Sequence, residues 1–236
     1  MLPEIWAQNL TVVFVGTTVT QLSDQLGFYH LGANDRFWYL LEYAGIMPTS
    51  LVSPSERKVL VNAQKDGVLN DTYKQLFFEK KERELLKRHI GLTDLNRRRV
   101  AVKEDDPAAE PIRDDVLKFE KNVKEYEPKI LAFVTKIEAF EKCLKSLYPS
   151  ANRQRGKQDF LIGPSEVWLL GSTSGRTKDT DALEQVFEDF RRAAGGSTGP
   201  RSTPRRARRR PGRPRSARRR RDRSTAPSRG DRGSCG

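Results

Sequence analysis

Cysteine and histidine are scarce in this 236-residue chain, which holds two of each: Cys143 and Cys235, His30 and His89. Two cysteines so far apart make neither a disulfide framework nor the paired spacing of a zinc site, and two histidines leave little for a metal centre. No apolar run reaches the length of about 18 residues that a membrane-spanning helix requires. The N-terminus also lacks the basic, apolar and small-residue succession of a secretory leader. The expectation is a soluble, reduced, cytoplasmic protein, and nothing implies a metal or an organic cofactor.

Lysine is missing from the last 36 residues, which carry 15 arginines and two aspartates. Taking these from the chain's 44 basic and 31 acidic side chains leaves 29 of each in the first 200 residues. The net charge of +13 therefore belongs to the tail, and the body is neutral. Any polyanion-binding surface on the body has to be local. From residue 196 the composition falls to Gly, Ser, Pro and Arg, too poor in apolar side chains to bury a core, so 196–236 is expected to be disordered. This arginine-rich tail reads either as a nonspecific nucleic-acid arm or as a stretch read out of frame.

Residues 1–195 read as one α/β domain. The runs "TVVFVG" (11–16), "ILAFVT" (130–135) and "EVWLLG" (166–171) are apolar without alternation, the mark of strands buried on both faces of a parallel sheet. "DFLIG" (159–163) is a short partner leading into the last of these through Gly163-Pro164. Between them lie helical periods: an aromatic-rich helix over 34–46 capped by Asn34 or Asp35, then Val116/Phe119/Val123/Tyr126, Ile137/Phe140/Leu144/Leu147 and Leu183/Val186/Phe187/Phe190. The charged block 53–112 contains a helix over 70–89 with Tyr73, Leu76, Phe77, Leu85 and Leu86 on its apolar side. A loop from Gly91 follows it. Its basic residues extend a DNA-binding face or, as is commoner, simply solvate the surface. The alternation predicts a three-layer α/β/α fold with a mainly parallel central sheet.

In such sheets function collects beyond the carboxyl ends of the strands, here "GTTVTQLSDQLGFYH" (16–30), "GLTDLN" (91–96) and "GSTSGRT" (171–177). The last looks like a nucleotide loop but fails as one. Gly171 and Gly175 are one residue too close for a Walker A loop, Arg176 replaces its lysine, and no later strand supplies a Walker B aspartate. Small residues at a helix start still suit a phosphate or a base edge.

Taken together the three loops resemble the uracil-DNA glycosylase superfamily, most closely its mismatch-specific branch, the Mug and thymine-DNA glycosylases. "VVFVGTTVTQLSDQLGFYHLGANDRFWYLL" is similar to that branch's strand, G-I-N-P-G motif, aromatic loop and N-R-F-W helix, and "VWLLGSTSGRTK" to its closing N-P-S-G or S-T-S-G loop. The resemblance covers roughly residues 5–195.

The resemblance implies a monofunctional, monomeric glycosylase that cleaves the bond between uracil, or a related deaminated base, and the sugar of single-stranded or mismatched DNA. The target nucleotide must leave the stack first. Ser172, Thr173, Ser174 and Gly175 would approach the flipped nucleotide and its backbone. Arg176 would fill the vacated space, with Lys178 beside it on the DNA, unless Arg176 is an ordinary exposed arginine. Backbone N–H groups around Thr17 and Thr18 would read the base, with Phe28 and Tyr29 in the aromatic loop. His30 would stack on the base and hydrogen-bond the departing anion, or only satisfy its own loop.

Two departures stand out. Thr18 occupies the place where the family orients the attacking water with Asn or Asp, and a hydroxyl is no general base near neutral pH. Asp94 is the candidate replacement, as water-positioning group or as stabiliser of the positive sugar, the alternative being a turn cap. Asp35 is an unexpected carboxylate close to DNA. The opposing reading is a relative that binds nucleic acid at lesions without cleaving. A hydrolase of free nucleosides is a third.

Overall fold

The computed structural model describes residues 1–32, 34–101, 111–145, 147–174 and 179–195. Among them, five strands and seven helices follow in the order β1 (Val12–Thr20), α1 (Gln21–Leu26), α2 (Phe37–Tyr43), α3 (Pro54–Lys65), α4 (Asp71–Leu86), β2 (Ile90–Ala101), α5 (Arg113–Tyr126), β3 (Ile130–Phe133), α6 (Ile137–Leu144), β4 (Gly156–Ile162), β5 (Ser165–Leu169) and α7 (Thr180–Ala193). The strands form one sheet in the order β2-β1-β3-β5-β4, parallel except for the β4–β5 hairpin.

Strand residues alternate between two cores because successive side chains leave opposite faces of a pleat. Val12, Phe14, Ile130, Ala132 and Trp168 join the core shared with α1, α2, α3, α4 and α7. Val13, Val15, Leu131, Phe133, Val167 and Leu169 join the core shared with α5 and α6. The result is an α/β domain with helices on both faces of a mainly parallel sheet. Phe14 links the layers by edge-on contacts with Phe37 of α2 at 5.2 Å and Phe190 of α7 at 5.8 Å. Each such buried ring removes enough apolar surface to stabilise the fold by about 1.5–3 kcal/mol.

The chain leaves β1 for β2 in one direction and then returns past it to β3 and β5 in the other. Connections from β1 and β3 therefore depart on opposite faces, which makes their carboxyl ends a topological switch point, the place where such sheets commonly bind ligands. The hydroxyls of Thr17 and Thr135 hydrogen-bond to each other there. On its outer side β2 is covered by the N-terminal segment, where Ile5 and Leu92 exchange both backbone hydrogen bonds.

Several expectations change. Residues 91–101 are strand rather than loop: β2 runs from Ile90 to Ala101 although it carries Arg97, Arg98 and Arg99. At this outer position the long side chains project to the rim, and Arg98 is anchored by the buried Asp115 of α5 at 2.9 Å. The helix α3 was not anticipated within the charged block. It starts at a capping box in which Ser53 and Glu56 satisfy each other's backbone N–H groups, with Pro54 in the first turn. On α4 the buried side is Phe78, Lys81 and Leu85, whereas Tyr73 and Leu76 are exposed. Lys81 is buried because its ammonium donates to the Leu51 carbonyl at 2.6 Å and to Glu56 at 2.8 Å. The α2 helix begins only after Asp35, and its N-cap residue is Arg36.

Candidate active site

The first seven residues of β2, Ile90 to Asn96, are buried, so Asp94 lies inside the sheet rather than at its end. In the parallel register it sits beside Gly16 of β1. The carboxylate occupies the space a side chain on residue 16 would need, and one oxygen, Oδ2, is buried without a hydrogen-bond partner. Burial pushes the Asp94 carboxyl up to about 6, against the pull of His30 and Arg97 and with a further push from Glu4. A desolvated acid shifted toward neutrality, within the field of an imidazole, is a candidate for acid–base chemistry.

His30 is held from three sides. Its backbone is left-handed, with φ of 54°, a conformation that costs energy for a residue with a β-carbon. Its ring stacks on Phe37 at 3.9 Å, and Nδ1 lies 3.1 Å from Asp35 Oδ2. Asp35 Oδ1 also accepts from the Phe37 N–H at 3.0 Å and from the Thr173 hydroxyl at 2.7 Å. Burial opposes ionisation of Asp35, but His30 and these two donors outweigh it and hold the carboxyl below the usual carboxylate range. Asp35 therefore turns inward and joins two loops, where the sequence had placed it toward DNA. The Arg36 N–H, donating to the Thr173 carbonyl at 2.9 Å, makes the junction double.

The remaining candidates divide. Thr17 and Thr18 lie within β1, not in a loop beyond it. The Thr18 hydroxyl donates to the Arg99 carbonyl at 2.9 Å, and Thr17 bonds to Thr135 on the face opposite Gly16 by the pleat. Phe28 is fully buried, stacked on Trp38 at 5.7 Å and edge-on to Phe77 and Phe78, so its ring is core and offers no face to a base. Tyr29 is also buried. Its hydroxyl donates to the Pro3 carbonyl at 3.0 Å and accepts from Arg97 at 3.2 Å, and burial, aided by Asp94, raises its pKa far above the ordinary phenol value. In the closing loop Thr173 is buried against Asp35, Ser172 and Ser174 are half-buried, and the Ser174 N–H donates to the Ser172 hydroxyl at 3.3 Å. Gly175, Arg176 and Lys178 lie outside the described residues, as does the arginine-rich tail.

Glu4 has no counterpart in the sequence reading, which took Asp35 for a carboxylate close to DNA rather than a hub and Arg97 for part of a basic surface rather than a neighbour of Asp94. Arg97 Nη1 stands 3.9 Å from Glu4 Oε1, and the Thr93 hydroxyl donates to the same carboxylate. With Asp94, Lys118 and Asn122 they line a cavity of about 310 Å³ between β2 and α5. The aspartate ahead of the F-W helix start carried a capping signal for Asp35. Glu4 had none, because its place depends on an N-terminal segment folding back on β2.

Among the described residues no group of three or more His, Cys, Asp or Glu side chains is placed to hold a metal ion, and no helix is long and apolar enough to cross a membrane. The fold and site define an α/β protein with a buried carboxyl, Asp94, on β2 and a separate His30–Asp35 pair on the loops beyond β1. The chain matches no protein-family model.

Proposed function

We propose that the protein is a monofunctional DNA glycosylase with a uracil-DNA glycosylase-type domain, hydrolysing the N-glycosidic bond of uracil or a related deaminated base in DNA to leave an abasic site. The observation that carries this reading is Asp94, a buried carboxyl shifted to about 6 with one unpartnered oxygen, next to Gly16 and electrostatically coupled to His30.

Near neutral pH the larger part of Asp94 is ionised. The carboxylate positions the attacking water and takes up its proton, and its negative charge stabilises the oxocarbenium character of the sugar as the base departs. His30, its ring fixed by Asp35 and Phe37, faces the departing base. The S-T-S-G loop, tied to the His30 loop through Thr173 and Asp35, enters the duplex with Gly175, Arg176 and Lys178 and holds the flipped nucleotide. Coupling the two loops makes base recognition and backbone engagement one rigid unit, which lowers the reorganisation needed at the moment of reaction.

A second reading is a binding protein that recognises lesions without cleaving them. The Thr18 hydroxyl favours it, since its bond to the Arg99 carbonyl leaves that position without a base. Labelled oligonucleotides bearing uracil, single-stranded and opposite guanine, separate the two when treated with alkali after incubation. Abasic-site breaks with the parent and none with Asp94→Asn support the enzyme. DNA binding without breaks on uracil, hypoxanthine or xanthine supports the second reading.

A further inference from the structure

The β4–β5 hairpin places a cation at the head of the S-T-S-G loop. Gly156 pairs with Leu169, so the preceding residue, Arg155, lies alongside the chain as it leaves β5 for Gly171. Gly171 has a left-handed backbone, φ of 93°, which suits glycine. A β-carbon there would stand 2.9 Å from Arg155 Nε, 3.5 Å from Cζ and 3.6 Å from Cδ. The end of the arginine stem and its guanidinium thus pack directly against the glycine. Nε is buried without a hydrogen-bond partner, and Arg155 forms no ion pair among the described residues. Its neighbour Arg153, by contrast, is paired with Glu141. A guanidinium held against backbone by its buried Nε, with no acceptor among the described residues, can turn its Nη donors to a phosphate.

We propose that Arg155 contacts a phosphate of the nucleic-acid strand that the S-T-S-G loop engages, a role that rests on the glycosylase reading. Gly171 serves this contact by letting the guanidinium settle close to the loop backbone. The seat lies outside the loop's own four residues, and it gives the neutral body a fixed positive point at the place where the strand must be gripped.

The test pairs the protein with the phosphates themselves. Uracil-containing oligonucleotides, each with one phosphate near the uracil replaced by a neutral methylphosphonate, are bound to the full chain, to Arg155→Met and to Arg155→Lys. Because every protein carries the same arginine-rich tail, its contribution cancels. The parent is expected to lose roughly tenfold in affinity at one position, the scale of a single charge-assisted hydrogen bond. The Met variant should be insensitive at that position only, and the Lys variant should recover part of the sensitivity. Identical profiles for parent and Met variant overturn the role of Arg155 while leaving the glycosylase reading intact. A parent that neither binds nor cleaves the unmodified oligonucleotide removes both.

Discussion

The Asp94 carboxylate lies directly against the backbone of Gly16, so that a β-carbon at residue 16 would come within 2.0 Å of Oδ1 and 3.2 Å of Cγ. Only the absence of a side chain on β1 lets a carboxylate sit on the neighbouring strand at this depth. Gly16→Ala must therefore displace Asp94. The expected cost is about 1–3 kcal/mol of stability, the scale of overpacking in a close-packed interior, together with loss of base excision. Urea denaturation and the excision assay check both. An alanine variant as stable and as active as the parent would mean that the contact is not needed.

Asp94 also carries a pH signature of its own. An ordinary aspartate titrates at 3.8 and this one at about 6. Between those values the folded protein keeps a proton that the unfolded chain has released. The folded state therefore loses stability as pH rises through the window, by roughly 3 kcal/mol once above it. Asp94→Asn carries no charge at any pH and should gain on the parent by up to that amount between pH 4 and pH 7. A stability difference that stays constant across the window would contradict this assignment.

The junction between the two loops has the opposite sign. Asp35 is held below the ordinary carboxylate range, so its stabilising bonds are present above that range and fade as acid protonates it. Thr173→Val removes one donor to the charged carboxylate and should cost about 1.5–3 kcal/mol. Amide hydrogen exchange should rise in residues 28–36 and 171–174 together, because the bond spans both loops. Faster exchange in one loop alone would show that they are not coupled through Asp35.

At the entry to α3, Ser53→Ala breaks one half of the capping box and should cost about 1 kcal/mol. Because Glu56 also accepts from Lys81, the double variant Ser53→Ala, Lys81→Met should depart from additivity. Chemical denaturation of the four proteins measures the coupling.

The central strands were legible because Val12–Val15, Ile130–Phe133 and Val167–Leu169 must be apolar on both faces, which leaves no competing pattern. The helices α5 and α7 were legible from one-sided periodicity. The far end of β2 was not, since Arg97–Arg99 occupy a rim where charge is tolerated and the apolar signal fails. Among the candidate site residues, Asp94 stood out as an acid at a strand end, and His30 through the resemblance of its loop. Phe28 did not differ in sequence from a base-stacking aromatic, and only its enclosure by Trp38, Phe77 and Phe78 makes it core. The roles of Asp35, Glu4 and Arg97 depend on long-range contacts, with Thr173 for the first and with the N-terminal segment for the others.

The most direct measurement is the pH dependence of uracil excision under single-turnover conditions, parent beside Asp94→Asn. If the ionised Asp94 carboxylate drives the reaction, the parent rate should fall about tenfold per unit below pH 6. The variant should be slower by about 10²–10⁴-fold, with no such acid limb. A parent rate that is flat across pH 6, or a variant that excises uracil as fast as the parent, would contradict the assignment of Asp94 as the catalytic base.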